Sequence, residues 1–161
     1  MNKVFLLLGC NLGNKLQNIS IAITMLTKKV GIVNSYSSVY ESAAWGNKEQ
    51  PNFLNQLVIC HSTLKPHDIL AQIFEIENYF KRQRLEKWGA RTMDIDILFY
   101  NDLLVNDDKL TIPHPLLHNR KFALLPLNEI APQFIHPVLG KNMNELCLLC
   151  NDELEVFKII F

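Results

Sequence analysis

The sequence predicts an α+β fold: a ferredoxin-like β-α-β-β-α-β sandwich, a mainly antiparallel sheet covered by helices, with a C-terminal extension. Three observations carry this expectation. An unbroken apolar run, Val4-Phe5-Leu6-Leu7-Leu8, opens the chain. Two later stretches space their apolar residues at helical intervals. Two others alternate with the period of a strand. At 161 residues the chain is expected to form one domain, 1–161.

Residues 4–8 read as a central buried strand, because no polar residue interrupts them. Residues 9–13, with Gly9 and Gly13, form a turn. From Asn14 the apolar positions are Leu16, Ile19, Ile23, Leu26 and Val30, a helix that Gly31 is placed to end. Residues 33–41, rich in Val, Tyr and Ser, predict one strand, and residues 42–52 a loop holding Gly46 and Pro51. Residues 53–61 predict a strand with Phe53, Asn55, Leu57 and Ile59 on one face. Leu54, Gln56, Val58 and Cys60 take the other face. Pro66 suits the first turn of a second helix, which carries Ile69, Ile73, Ile76, Glu77 and Phe80. Residues 81–92 are polar and predict a loop, and residues 93–100 a strand. Five prolines, from Pro113 to Pro137, break the remainder into short pieces. A short helix over 144–150 and a strand over 154–161 end the chain.

Sixteen basic and sixteen acidic residues leave a net charge of +0. No global field draws the protein to nucleic acid or to an anionic membrane, so neither is expected as a partner. Any anion must be gripped by a local cluster. Hydrophobic residues make up 48% of the chain, which excludes disorder. The apolar run at 4–8 is too short for a secretory signal or a membrane span. A cytoplasmic location is therefore expected, with Cys10, Cys60, Cys147 and Cys150 reduced. Cys147 and Cys150 form a lone CxxC without a second pair, which reads as two small apolar residues on a helix rather than a zinc site.

The strongest chemical signal is Arg91-Thr-Met-Asp94-Ile-Asp96-Ile-Leu. Residues two apart on a strand share a face, roughly 6.5–7 Å apart. Asp94 and Asp96 then present two carboxylates together, while Met93, Ile95 and Ile97 turn to the core. Such a pair suits hard cations bridging a polyphosphate; it also suits a solvated acidic strand face. The chain has only four arginines, Arg82, Arg84, Arg91 and Arg120, and the first three lie within a ten-residue span directly ahead of this pair. Guanidinium grips phosphate in a bidentate manner where lysine does not, although a salt-bridged surface loop would use the same residues. His114 lies between Pro113 and Pro115, as a phosphate donor or as a turn residue. Phe53 and Asn55 on one strand face could stack on and read a flat heterocycle, or serve the core. Trp45 and Trp88 fall in predicted loops, against a ligand or as anchors of their own loops. Neither a P-loop nor a GxGxxG fingerprint is present.

Together these segments resemble the 6-hydroxymethyl-7,8-dihydropterin pyrophosphokinase family of folate biosynthesis. The likeness lies in Leu8-Gly-Cys-Asn-Leu-Gly13, Ser38-Val-Tyr40-Glu-Ser42, Gln50-Pro-Asn-Phe53-Leu-Asn55, Lys87-Trp-Gly-Ala-Arg91-Thr-Met-Asp94-Ile-Asp96-Ile-Leu98, and Pro113-His114-Pro with Arg120 and Phe122. The resemblance implies a ferredoxin-like α/β sandwich that transfers the diphosphate of ATP to the hydroxymethyl group of the pterin and releases AMP. It implies two Mg²⁺ ions on Asp94 and Asp96, with Arg82 and Arg91 on the moving diphosphate. ATP would meet Glu77 at its ribose, His114 and Arg120 at its phosphates, and also Arg84, Ile97, Lys109 and Thr111. Phe53 and Phe122 would sandwich the pterin, Asn55 would read its edge, and Ser42, Trp45, Gly46 and Trp88 would complete that pocket. The loop over 81–92 would close on both substrates. Small molecules are thus the expected partners, and a monomer is expected. Lys81 stands where the family often has glycine, Phe53 where some members have tyrosine, and Ala43-Ala44-Trp45 where proline is frequent. A metal-dependent phosphohydrolase using the same two aspartates, and a non-catalytic binding module of the same fold, are the alternatives.

Overall fold

The opening apolar run becomes β1 (Asn2–Cys10), which lies inside the sheet with a neighbour on each side. The computed structural model describes residues 1–44, 49–82 and 93–161, with the side chain of Arg82 left out. β4 (Phe53–Ser62) and β5 (Asp94–Tyr100) flank β1, both antiparallel to it. β2 (Ile32–Tyr36) and β3 (Tyr40–Ser42) both pair with β4. β8 (Val156–Lys158) adds to β3, so the order is β5-β1-β4-β3-β8 with β2 also on β4. Taking β2 and β3 as one interrupted strand, this is the expected ferredoxin-like arrangement. β1 and β4 are buried along almost their whole length because helices cover both faces.

α1 (Lys15–Lys29) and α2 (Pro66–Arg82) cover one face. Leu6, Leu8, Val58, Cys60, Ile95 and Ile97 of the sheet meet Ile19 and Leu26 of α1 and Ile69, Ile73 and Ile76 of α2 there. α3 (Lys121–Ile130) and α4 (Met143–Leu149) cover the other. Phe5, Leu7, Leu57, Ile59, Leu98 and Phe99 pack against Leu124, Leu127, Met143 and Leu146. The expected division of Phe53–Ser62 into two faces holds: Leu57 and Ile59 lie on the α3 side, Leu54, Val58 and Cys60 on the α1 side.

The expected boundaries shift where tertiary contacts decide. The single strand over 33–41 is two strands, because Ser37 leaves the ladder. Its amide donates to the Leu57 carbonyl (2.9 Å) and its hydroxyl accepts from the Leu57 amide (3.0 Å). α2 extends through Arg82, past the expected loop start at Lys81. The final strand contracts to three residues. The largest correction is α3, a ten-residue helix inside the stretch that prolines were expected to break. Pro126 lacks a helix hydrogen-bond donor, but Ala123, Leu124, Pro126 and Leu127 are all buried against the sheet, and that burial offsets the loss. A short hairpin, β6 (Val105–Asn106) with β7 (Thr111–Ile112), lies in the same stretch and is too brief to leave a periodic signal.

Glu129, near the end of α3, ties that helix to the sheet. It accepts from the Ser38 amide (2.9 Å), the Ser38 hydroxyl (2.8 Å) and the Tyr40 hydroxyl (2.6 Å). Burial pushes the Glu129 carboxyl up, but these hydrogen bonds and Lys158 outweigh it and hold the group below its usual range. Among the described residues no helix is long and apolar enough to cross a membrane.

Asn14 caps α1 by accepting from the Gln17 amide (3.2 Å). Gly31 follows the helix end, yet the constraint on it is steric. A Cβ there would stand 2.2 Å from the His61 carbonyl oxygen of β4. Gly31→Ala is therefore expected to push α1 off β4 and to cost on the order of 1–3 kcal/mol. Thermal unfolding of the variant would show this, and an unchanged melting temperature would contradict it.

Candidate active site

The α3 face of the sheet is not covered to its end. Beyond the N-terminus of α3 it opens into a cleft of about 160 Å³. The floor is Leu7 and Gly9 of β1, Phe53 and Asn55 of β4, and Asp94 and Asp96 of β5. Ser42 and Ala43 form one rim, Arg120 and Phe122 the other. Strand register assembles this floor, since Gly9 pairs with Asn55 on one side and Asp94 on the other. A Cβ on Gly9 would lie 3.4 Å from Asn55 Oδ1 and 3.6 Å from Phe53 Cδ1, so glycine keeps the floor open.

Asp94 and Asp96 both line the cleft, while Met93, Ile95 and Ile97 are buried in the opposite core. The Asp96 side chain keeps 39% of its exposure. β5 is the edge strand, and its outward amide at Ile95 is not left open. It donates to Glu77 Oε2 of α2 at 3.0 Å. Burial raises the Glu77 pKa, the Ile95 amide opposes that, and Asp94 and Asp96 add to the rise. Glu77, assigned to a ribose by resemblance, thus holds the strand between the two aspartates.

Asn55 is buried, and its amide nitrogen donates to Ser42 Oγ at 2.8 Å. Its oxygen, next to Gly9, is the atom left to accept from a ligand's N–H. Arg120 lies over the Phe122 ring, with Cζ 5.6 Å from the ring centroid. His114 hangs from β5 through its own amide, which donates to the Leu98 carbonyl (3.0 Å). Its Nδ1 accepts from the Leu116 amide (3.2 Å), so the neutral ring carries its proton on Nε2. That Nε2 lies 4.0 Å from Asp96 Oδ2. Burial, with Arg120 adding to it, pushes the His114 pKa down to about 4. The ring is therefore a neutral N–H donor at neutral pH.

Asp94, Asp96, Ser42, Phe53, Asn55, Arg120 and Phe122 are thus brought to one cleft. Ile97 is buried with its side chain among α1 and α2 residues, which leaves only its backbone for a ligand. Lys109 and Thr111 are exposed on the β6–β7 hairpin and do not line the cleft. Trp45, Gly46, Arg84, Trp88 and Arg91, and the side chain of Arg82, lie outside the described residues. Leu7, Gly9 and Ala43 are lining residues that the sequence reading missed. The alternation of β1 carried the signal for Leu7 and Gly9, which share the strand face opposite to Leu6 and Leu8. Among the described residues no cluster of three or more His, Cys, Asp or Glu is arranged for a metal. Two accessible carboxylates on one wall nevertheless fit Mg²⁺, which takes one or two such ligands and completes its shell with water and phosphate.

Fold and cleft together define a ferredoxin-like α+β domain with a paired-carboxylate, aromatic-walled pocket at one end of its sheet. The family model for 7,8-dihydro-6-hydroxymethylpterin-pyrophosphokinase matches residues 5–132, and the chain belongs to that family. The 2-amino-4-hydroxy-6-hydroxymethyldihydropteridine pyrophosphokinase of Aquifex aeolicus is 41% identical over 145 residues, which covers 90% of this chain and 90% of that protein. The Synechocystis protein of the same name is 44% identical over 140 residues, 86% of this chain and 71% of that one. The folic acid synthesis protein FOL1 of Dictyostelium discoideum is 44% identical over 147 residues, but this chain spans only 22% of its length. Among solved structures, wild-type Plasmodium falciparum HPPK-DHPS superposes with a TM-score of 0.73 at 19% identity, over 92% of this chain and 44% of that one. This last likeness concerns the fold.

Two outcomes follow from the geometry. Glu77→Leu removes the acceptor at the β5 edge, and hydrogen exchange of the Ile95 amide should quicken by one to two orders of magnitude. Glu77→Gln, which keeps an oxygen there, should leave it near the wild-type rate. For His114, the native pKa of about 4 lies below the ordinary 6.5. As pH falls, the unfolded chain takes up this proton first. The contribution is complete above about pH 6.5 and is lost progressively toward pH 4, on the order of 2 kcal/mol. Denaturant unfolding against pH should show His114→Gln with a shallower loss than wild type across that window; parallel curves would refute the assignment.

Proposed function

We propose that this protein transfers the terminal diphosphate of ATP to the hydroxymethyl group of 6-hydroxymethyl-7,8-dihydropterin and releases AMP. The hydroxymethyl oxygen bonds to the β-phosphorus as the bond from that phosphorus to the oxygen bridging to the α-phosphate breaks; the alcohol proton is lost. The observation that carries this reading is the cleft itself. Two carboxylates, an arginine, two aromatic rings and an oriented amide line one pocket in a chain of this family.

Asp94 and Asp96 would hold two Mg²⁺ ions, which when bound neutralise polyphosphate charge and lower the pKa of the attacking alcohol. Phe53 and Phe122 flank the flat ring, and Asn55 Oδ1 accepts from its N–H edge. His114 Nε2–H and Arg120 face the ATP phosphates. Arg82 and Arg91 attend the transferred diphosphate, Arg84 attends ATP, and Trp88 attends the pterin. Phosphoryl-type transfer asks for positioning and charge neutralisation more than for covalent chemistry, and no general base is assigned. The protein acts as a single domain and a monomer on small molecules in the cytoplasm, a location consistent with four cysteines that form no disulfide. A phosphohydrolase would have no use for aromatic walls or for the Asn55 reader.

The test is incubation with Mg²⁺, ATP and the hydroxymethyl-dihydropterin. AMP and the pterin diphosphate are the expected products. ADP, or phosphate release that does not depend on the pterin, would overturn the reading. Asp96→Ala should lower kcat by at least about 10²-fold while its melting temperature stays near that of wild type.

A further inference from the structure

We infer that Asp152, in the segment after α4, is a positioning residue that fixes Arg120 and Phe122 at the cleft by capping the N-terminus of α3. The first turn of α3 is poorly encoded by its own residues. Arg120 occupies the N-cap position without a side-chain cap, and no acidic residue lies in the first turn. The first helical residue, Lys121, places a cation at the positive end of the helix dipole, where it is unfavourable. The missing acceptor comes from thirty-one positions later: the Lys121 amide donates to Asp152 Oδ2 at 3.0 Å. The other oxygen of the same carboxylate accepts from the Leu154 amide at 3.0 Å, which closes a turn and fixes the group in place.

The capped amide lies between the two residues that form the far rim of the cleft, Arg120 before it and Phe122 after it. Both depend on where α3 begins, since the Arg120 carbonyl also accepts from the amides of Ala123 (3.1 Å) and Leu124 (3.0 Å). Without Asp152 the first turn can fray, and the guanidinium and the ring then no longer face the floor as a fixed pair. Asp152 does not line the cleft. It acts through Arg120 and Phe122.

The functional arm of the test rests on the proposed activity; the structural arm does not. Asp152→Ala should raise KM for ATP and for the pterin by roughly five- to tenfold, the factor expected from losing one helix cap. kcat should change less. Asp152→Asn keeps one acceptor oxygen and should recover most of the loss. Asn142→Ala is the control, because it removes the capping box of α4 away from the cleft and should lower the melting temperature similarly without moving either KM. In the structural arm, hydrogen exchange at the amides of residues 121–124 should quicken in Asp152→Ala and not in Asn142→Ala. Unchanged exchange at those amides overturns the inference. So does quickened exchange with both KM values unmoved, or an equal KM effect from Asn142→Ala. If the wild-type protein shows no pterin-dependent AMP formation, the functional reading falls, and the exchange measurement still decides whether Asp152 anchors α3.

Discussion

The register of β5 against β1 is the constraint on which the rest of this molecule depends. Gly9 pairs with Asp94, Leu8 with Ile95 and Leu7 with Asp96. Side chains alternate along a strand, so this pairing decides which residues see the cleft and which see the α1 and α2 core. A slip of one position would bury both carboxylates and expose Ile95 and Ile97. The apolar cost of that exchange is large, and the same hydrophobic effect that builds the core therefore aims the acidic pair. A register shift between Phe5 and Leu6 then turns Leu98 and Phe99 to the α3 side together. One sheet face thus passes from an acidic mouth to a dry interior within three residues.

The cleft draws its walls from distant parts of the chain. β1, β4 and β5 supply a floor whose positions are set by backbone ladders, the most rigid element available. The rim at Arg120 and Phe122 belongs instead to a helix interrupted by proline. Its two ends are held by carboxylates acting across the fold, Asp152 at the start and Glu129 near the finish. Both are hydrogen-bonded to backbone amides. Apart from Glu129, the helix contributes apolar area and little else to its own placement.

Charge is distributed to the same end. The chain as a whole is neutral, so attraction for a polyphosphate cannot be global. It is concentrated around β5, where Arg120 and a neutral His114 stand near two carboxylates. Among the described residues the two carboxylates would repel a bare anion, so the function proposed above calls for cations on Asp94 and Asp96 to accompany the nucleotide. Burial of His114 keeps it from adding a further positive charge near Arg120, while its fixed tautomer retains an N–H for donation.

Much of this was legible in the residues alone. The run at 4–8, the helical spacing after Asn14 and after Pro66, the alternation in 53–61 and the carboxylates two apart at 94 and 96 are local patterns, and local patterns fix period and face. The pairing partners, the split at Ser37 and the helix through Pro126 were not legible, because each depends on a contact far away in sequence. The same holds for Glu77 at the edge of β5 and for Asp152 at the start of α3. The sequence by itself determined which side chains would share a face. Only the tertiary structure decided which faces would meet and where the helix bearing Arg120 and Phe122 would begin, because those choices are made by hydrogen bonds and burial between segments that no local periodicity relates.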